Sequence, residues 1–165
     1  MEIEIRQDDP IVYEGDGLVV PTNSYGQMIE GLAARVKDAA GASVETEAIR
    51  SAPIAVGAAV ATLAGNMSLA KLIHVPVAEH ASVRIGIESV RRATRAALLA
   101  AQHFQLERIC IPGFGYGENG IPYDETARAI IDEVKAFKGA KPSHVTLMDT
   151  DEMMIEAFRA QVEDR

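Results

Sequence analysis

Arg108-Ile109-Cys110-Ile111-Pro112-Gly113-Phe114-Gly115-Tyr116-Gly117-Glu118-Asn119-Gly120-Ile121-Pro122 runs from an apolar segment into a glycine-rich loop, and residues 124–137 then carry helical spacing. A short apolar run bounded by a loop reads as a buried strand, so strand, loop and helix follow in that order. Downstream, residues 145–148 read as a strand and a last helix starts at Asp151, with Thr150 as its expected N-cap. Asp151 and Glu152 stand where the helix dipole favours negative charge. Upstream, residues 58–63 and 72–77 read as strands around the turn-tolerant Ala64-Gly65-Asn66. Ile87, Val90, Ala97, Leu98 and Ala101 then recur at helical spacing in a long amphipathic helix.

At the start of the chain, residues 2–6 alternate as a strand, residues 11–13 read as a short extended piece, and residues 18–20 form an apolar strand stopped by Pro21. Leu32, Val36, Ala39 and Ala40 fall at helical spacing before Gly41, and Val44, Ala48 and Ile49 make a second helical set ending near Pro53. Strands that alternate with helices demand a sheet covered on both faces, and three strands ahead of any helix make that sheet mixed. The expected fold is a three-layer α/β/α sandwich, with residues 1–165 as one domain.

The 165 residues are 48% hydrophobic, and no apolar run reaches the length of a membrane span. Met1-Glu2-Ile3-Glu4-Ile5-Arg6 lacks the basic-then-apolar order of a secretory signal, so a cytoplasmic protein is expected. Asp and Glu number 24 against 16 Lys and Arg, and the net charge of −8 opposes broad nucleic-acid binding. A small phosphate ligand stays compatible with that charge, because backbone N–H groups hold phosphate locally. The single Cys110 sits between isoleucines and reads as a small core hydrophobe. His74 reads as a core histidine, and His80, His103 and His144 have no metal-ligand spacing, so neither metal nor cofactor is expected.

In sheets of this kind ligands bind beyond the carboxyl ends of the strands, which directs attention to the loops after residues 20 and 111. Glycines in the loop after residue 111 permit positive φ and close backbone approach, which suits a phosphate cradle better than a connection needed only for chain geometry. Residues 115–120 also match G-x-G-x-x-G, and Asp149 ends the next strand, as in dinucleotide sites. Only one helix remains after Asp149, however, and Pro122 stands where that fingerprint's helix should already run. After residue 20, Asn23 either closes an Asx-turn or recognises a ribose diol through its amide.

These residues resemble the macro domain family over nearly the whole chain. Gln7-Asp8-Asp9-Pro10 through Asp16-Gly17-Leu18-Val19-Val20-Pro21-Thr22-Asn23 follows, without a gap, the family's Gly-Asp-Ile motif and its Asp-Ala-Ile-Val-Asn-Ala-Ala-Asn. Glu30-Gly31-Leu32 falls on the end of the family's glycine run, and Leu72-Ile73-His74-Val75 on its strand ending in Ile-His. Gly113, Gly117, Gly120 and Pro122 coincide with its phosphate loop.

The resemblance implies an ADP-ribose site on a three-layer fold. Asp9, beside Pro10, would read the adenine amine. The backbone of residues 113–117 (Gly113, Phe114, Gly115, Tyr116, Gly117) would cradle the pyrophosphate and Asn23 would hold the distal ribose, with Pro10, Gly31, Leu32, Glu118 and Asn119 also lining the ligand. Departures bear on catalysis: Ala33 stands where ADP-ribosyl hydrolases of the family carry an aspartate, the paired glutamates of the poly-ADP-ribose glycohydrolases are missing, and Asn119 replaces an aromatic. Hydrolysis of ADP-ribosyl or O-acyl-ADP-ribose linkages would fall to a water held by Asn23 with Glu30 or Glu118 assisting. The alternative is a diverged module that binds another nucleotide or a protein partner without catalysis.

Overall fold

The computed structural model describes residues 1–79, 85–117 and 120–163. Its strands are β1 (Glu2–Gln7), β2 (Gly17–Asn23), β3 (Val60–Thr62), β4 (Lys71–Ala78), β5 (Arg108–Pro112) and β6 (His144–Asp149). Its helices are α1 (Gly31–Ala40), α2 (Ser43–Ile49), α3 (Ile87–His103), α4 (Tyr123–Ala136) and α5 (Glu152–Glu163). The strands form one sheet in the order β1-β6-β5-β2-β4-β3, parallel except for β3, which runs antiparallel to β4. None of the described helices is long and apolar enough to cross a membrane.

Period-two alternation divides the core between the two faces of the sheet. Val19, Ile73, Ile109, Ile111, Val145 and Leu147 face α3, α4 and α5, whereas Leu18, Val20, Leu72, Cys110 and Met148 face α1 and α2. Because both faces are covered, the central strands read as continuous apolar runs; β4 is buried from Leu72 through Ala78. Cys110 is fully buried, and burial pushes its thiol far above the usual range, consistent with a packing role.

Three expectations are corrected. Pro21 does not stop the strand: β2 continues to Asn23 beside β4, and because β5 pairs with it only at Gly17 and Leu18, its other side is unpaired at Pro21, where proline is tolerated. Residues 11–13 do not form a strand: Pro10–Val12 is a single 3-10 turn, N-capped by the Asp9 side chain, which accepts from the Ile11 N–H at 3.1 Å. Proline at the first position is pre-set for such a turn, and this local capping overrides the β-propensity of Ile11, Val12 and Tyr13. The cap of α5 is Asp151 rather than Thr150, since its Oδ1 accepts from the Met153 N–H at 2.9 Å.

Asp16 ties the start of β2 to that of β5, its Oδ2 accepting from the N–H groups of Glu107 (3.1 Å) and Arg108 (2.9 Å). Asp16→Ala removes the shared acceptor of both bonds and is expected to lower unfolding free energy by about 2 kcal/mol in urea denaturation, with Asp16→Asn recovering part of the loss. Equal stability of Asp16→Ala and wild type would show that water replaces the carboxylate at no cost.

Candidate functional site

β2 and β5 are parallel neighbours, yet their continuing chains leave toward opposite faces, β2 into α1 and β5 into α4. Divergence of adjacent connections opens a crevice at the carboxyl edge of the sheet. A cleft of about 540 Å³ lies there, within the range of small-molecule sites. Pro112, Gly113, Phe114, Gly115 and Tyr116 make one wall. Asn23, Glu30, Gly31 and Leu32 make the other, and Asp149 and Thr150 come from the end of β6.

The β5–α4 wall takes its shape from glycines that nothing else could replace. Gly115 has φ +83°, and a Cβ on Gly113 would lie 2.7 Å from Asp149 Oδ2 and 2.5 Å from Met154 Cγ. The loop is pinned by hydrogen bonds from Ile121 N–H to Gly115 C=O (2.8 Å) and from Gly120 N–H to Gly117 C=O (3.1 Å). Among the described residues, the successive N–H groups of Gly115 and Tyr116 find no acceptor. Successive unpaired N–H groups on a cleft wall make an anion-binding concavity.

Tyr116 anchors this loop from below. Its hydroxyl donates to Asp149 at 2.9 and 3.1 Å, and its ring lies 4.9 Å from that of Tyr123, whose own hydroxyl donates to Asp151 at 2.7 Å. Burial pushes the Asp149 carboxyl above its usual range, while hydrogen bonds from Asp151 N–H, the Tyr116 hydroxyl and Gly113 N–H pull the other way. The same burial, then the neighbouring Asp149 charge, raises the Tyr116 phenol, so Tyr116 stays a donor.

On the opposite wall Asn23 does two things at once. Its Oδ1 accepts from the N–H groups of Tyr25 (2.9 Å) and Gln27 (3.4 Å), closing the Asx-turn, and its Nδ2 is left with one long contact, 3.5 Å to Gln27 Oε1. The acceptor side is spent and the donor side is available. Glu45 holds this loop down from α2: one oxygen accepts from the Met28 N–H (2.7 Å) and the other pairs with Lys37 (2.8 Å), so these bonds hold its carboxyl below the usual range. Glu30 precedes α1 at the N-cap position, exposed and without a capping bond, and Ala33 is buried.

The structure therefore brings Pro10, Asn23, Glu30, Gly31, Leu32 and residues 113–116 to one cleft. Asp9 is not among the lining residues but accepts at 3.1 Å from Arg35, which is, and Gly117, at φ +123°, does not line the cleft either. Glu118, Asn119 and His80 are outside the described residues. Sequence reasoning missed Arg35 on the cleft wall, and it weighed Asp149 only within the dinucleotide fingerprint. Arg35 lies one helical turn beyond Gly31, a spacing that places both on the same face of α1.

A family model described as Macro domain matches residues 19–130. An uncharacterized protein of Aquifex aeolicus is 38% identical over 158 residues, covering 96% of each chain. Another from Aeropyrum pernix is 31% identical over 157 residues, covering 95% of this chain and 82% of its own. Among solved structures, a Trypanosoma brucei macrodomain in complex with ADP-ribose superimposes with a TM-score of 0.88 at 16% identity, over 98% of this chain and 69% of that one. A mutant Oceanobacillus iheyensis macrodomain with ADPR gives 0.85 at 17% identity, over 98% and 91%.

Proposed function

Because the chain belongs to the macro domain family, we propose that its cleft binds ADP-ribose, free or as the terminal group of a modified substrate. The observation that carries this reading is the cradle at Gly115 and Tyr116, whose N–H groups have no acceptor among the described residues and whose loop lines the same cleft as Asn23. A diphosphate needs donors and positive charge, and among the described cleft residues Glu30 and Asp149 are acidic and Arg35 alone is basic. Backbone N–H groups and the N-terminus of α1 provide them without lysine. In the proposed pose residues 113–116 cradle the pyrophosphate, Asn23 Nδ2 donates to the distal ribose, and Asp9 accepts from the adenine amine. Structural neighbours from Trypanosoma brucei and Oceanobacillus iheyensis that carry this ligand support the assignment.

Turnover would require a base near the anomeric carbon. Asp149 is occupied by the Tyr116 hydroxyl and the Asp151 N–H, which leaves Glu30 as the described cleft carboxylate free of protein donors. In that step a water held between Glu30 and Asn23 Nδ2 attacks the anomeric carbon of an acyl-linked ADP-ribose, its proton passing to Glu30 as the bond from that carbon to the acyl oxygen breaks and the carboxylate leaves.

Calorimetric titration with ADP-ribose, and with AMP and NAD in parallel, tests the reading. Micromolar binding, about −8 kcal/mol, with preference over AMP is expected. Silence at millimolar ADP-ribose would leave the fold as a module for another nucleotide or a protein partner. With an ADP-ribosylated protein as substrate, Glu30→Gln should keep ADP-ribose affinity and abolish release. Binding without release by the wild type would identify a reader and remove the role of Glu30.

A further inference from the structure

The geometry points to Arg35 as the second half of an adenine reader, donating to the ring nitrogen N1 while Asp9 accepts from the exocyclic amine. This inference rests on the reading of the cleft as an ADP-ribose site. The base edge of adenine presents an amine donor beside a ring acceptor, so a site that reads it needs an acceptor and a donor side by side. Asp9 supplies the acceptor. Its Oδ1 already takes the Ile11 N–H and Arg35 Nη2, both at 3.1 Å, and its Oδ2 has no partner among the described residues.

The donor cannot come from the backbone around Asp9. The Asp9 N–H is bonded to Asp8 Oδ1 at 2.8 Å, Pro10 has no N–H, the Ile11 N–H is committed to Asp9, and the Val12 N–H donates to the Asp9 carbonyl at 3.0 Å. Arg35 is the neighbouring group with donors to spare: of its five N–H hydrogens the described structure uses one, and the residue lines the cleft. Its contact with Asp9 joins side chains 48% and 38% exposed, a pairing weak enough for the guanidinium to shift toward a base at little cost.

Specificity follows from the same arrangement. Hypoxanthine reverses the edge, presenting a carbonyl acceptor beside an N1–H donor, so its oxygen would face Asp9 Oδ2 and its N1–H would face Arg35. Guanine would need both Asp9 oxygens for its two N–H groups, and Oδ1 is already taken twice. A site built on paired polar groups rejects a ligand that leaves them unpaired far more strongly than an apolar pocket rejects a change of shape.

The experiment compares wild type and Arg35→Met, after matched thermal melts, for calorimetric binding of ADP-ribose and of its 1-deaza analogue, in which C–H replaces N1. Wild type should bind the analogue about tenfold more weakly than ADP-ribose, and Arg35→Met should bind ADP-ribose about tenfold more weakly while leaving the analogue unchanged. Equal weakening of both ligands would overturn the inference, because Arg35 would then act through its charge on the diphosphate. An unchanged affinity for both would remove Arg35 from the site. A wild type that binds neither ligand would sink the ADP-ribose reading itself, and is distinguished from these outcomes by the silence of the unsubstituted protein.

Discussion

Gly115→Ala should cost about 2–4 kcal/mol of stability and weaken ADP-ribose binding by about a hundredfold or more. The residue sits at φ +83°, where an L side chain is strained, and a Cβ there would stand 2.6 Å from Val90 Cγ2 and 3.3 Å from Ile85 Cγ2. Val90 is fully buried on α3 and β-branched, so it has no rotamer into which to retreat. The loop must shift instead, carrying the Gly115 and Tyr116 N–H groups with it. Gly117→Ala separates strain from crowding: φ is +123°, but among the described residues the added Cβ meets nothing within 4 Å. It should cost less stability, about 1 kcal/mol, and much less affinity. Chemical denaturation and ligand titration of both variants read the difference, and wild-type behaviour of Gly115→Ala would refute the rigid cradle.

The second large effect is a loss of stability in mild acid that originates in His74. This histidine is fully buried on β4, with Nε2 2.9 Å from Thr62 Oγ1 on β3. Since Thr62 Oγ1 donates to the Leu63 carbonyl at 3.0 Å, the hydrogen-bond pattern assigns the imidazole proton to Nε2. Nδ1 then faces no partner among the described residues, so a second proton would be buried unpaired. Desolvation lowers the pKa from 6.5 to about 4.

Between those values the unfolded chain takes up a proton that the native protein refuses, so stability falls as pH drops from about 6.5 to 4, by about 3 kcal/mol in total. Above pH 7 His74 contributes no slope. Urea denaturation of wild type and His74→Gln from pH 7.5 to 4.5 isolates this residue from the other histidines. Wild type should lose about 2 kcal/mol more than the variant across that range. Parallel profiles would mean that His74 gains a proton in the native state through a partner or water that reaches Nδ1.

Several elements were legible because their causes are local. The glycine loop announced itself, since only residues without a Cβ fit the backbone of Gly113 and Gly115. Asn23 was recognisable as a turn former directly after a strand: its Oδ1 closes the turn, and the residue lines the cleft with one long contact on Nδ2. The error at residues 11–13 was also local: Asp9-Pro10 is a capping signal that outweighed three residues favouring strands. Contacts between distant elements were not legible. The bond from Tyr116 to Asp149 spans 33 residues, and that between Arg35 and Asp9 spans 26.

By itself the sequence determined the alternation of strands and helices, the sheet covered on both faces, and the two loops that line the cleft, because hydrophobic period and glycine content act within a few residues; the sheet is mixed as expected, but through the antiparallel β3–β4 pair rather than through three strands ahead of α1. Only the tertiary structure decided the strand order that sets β2 beside β5, the pairing that leaves Asp9 Oδ2 open, and the use of Arg35 as a cleft residue. These depend on which surfaces meet once both faces of the sheet are buried, and burial is a property of the packed chain rather than of any segment.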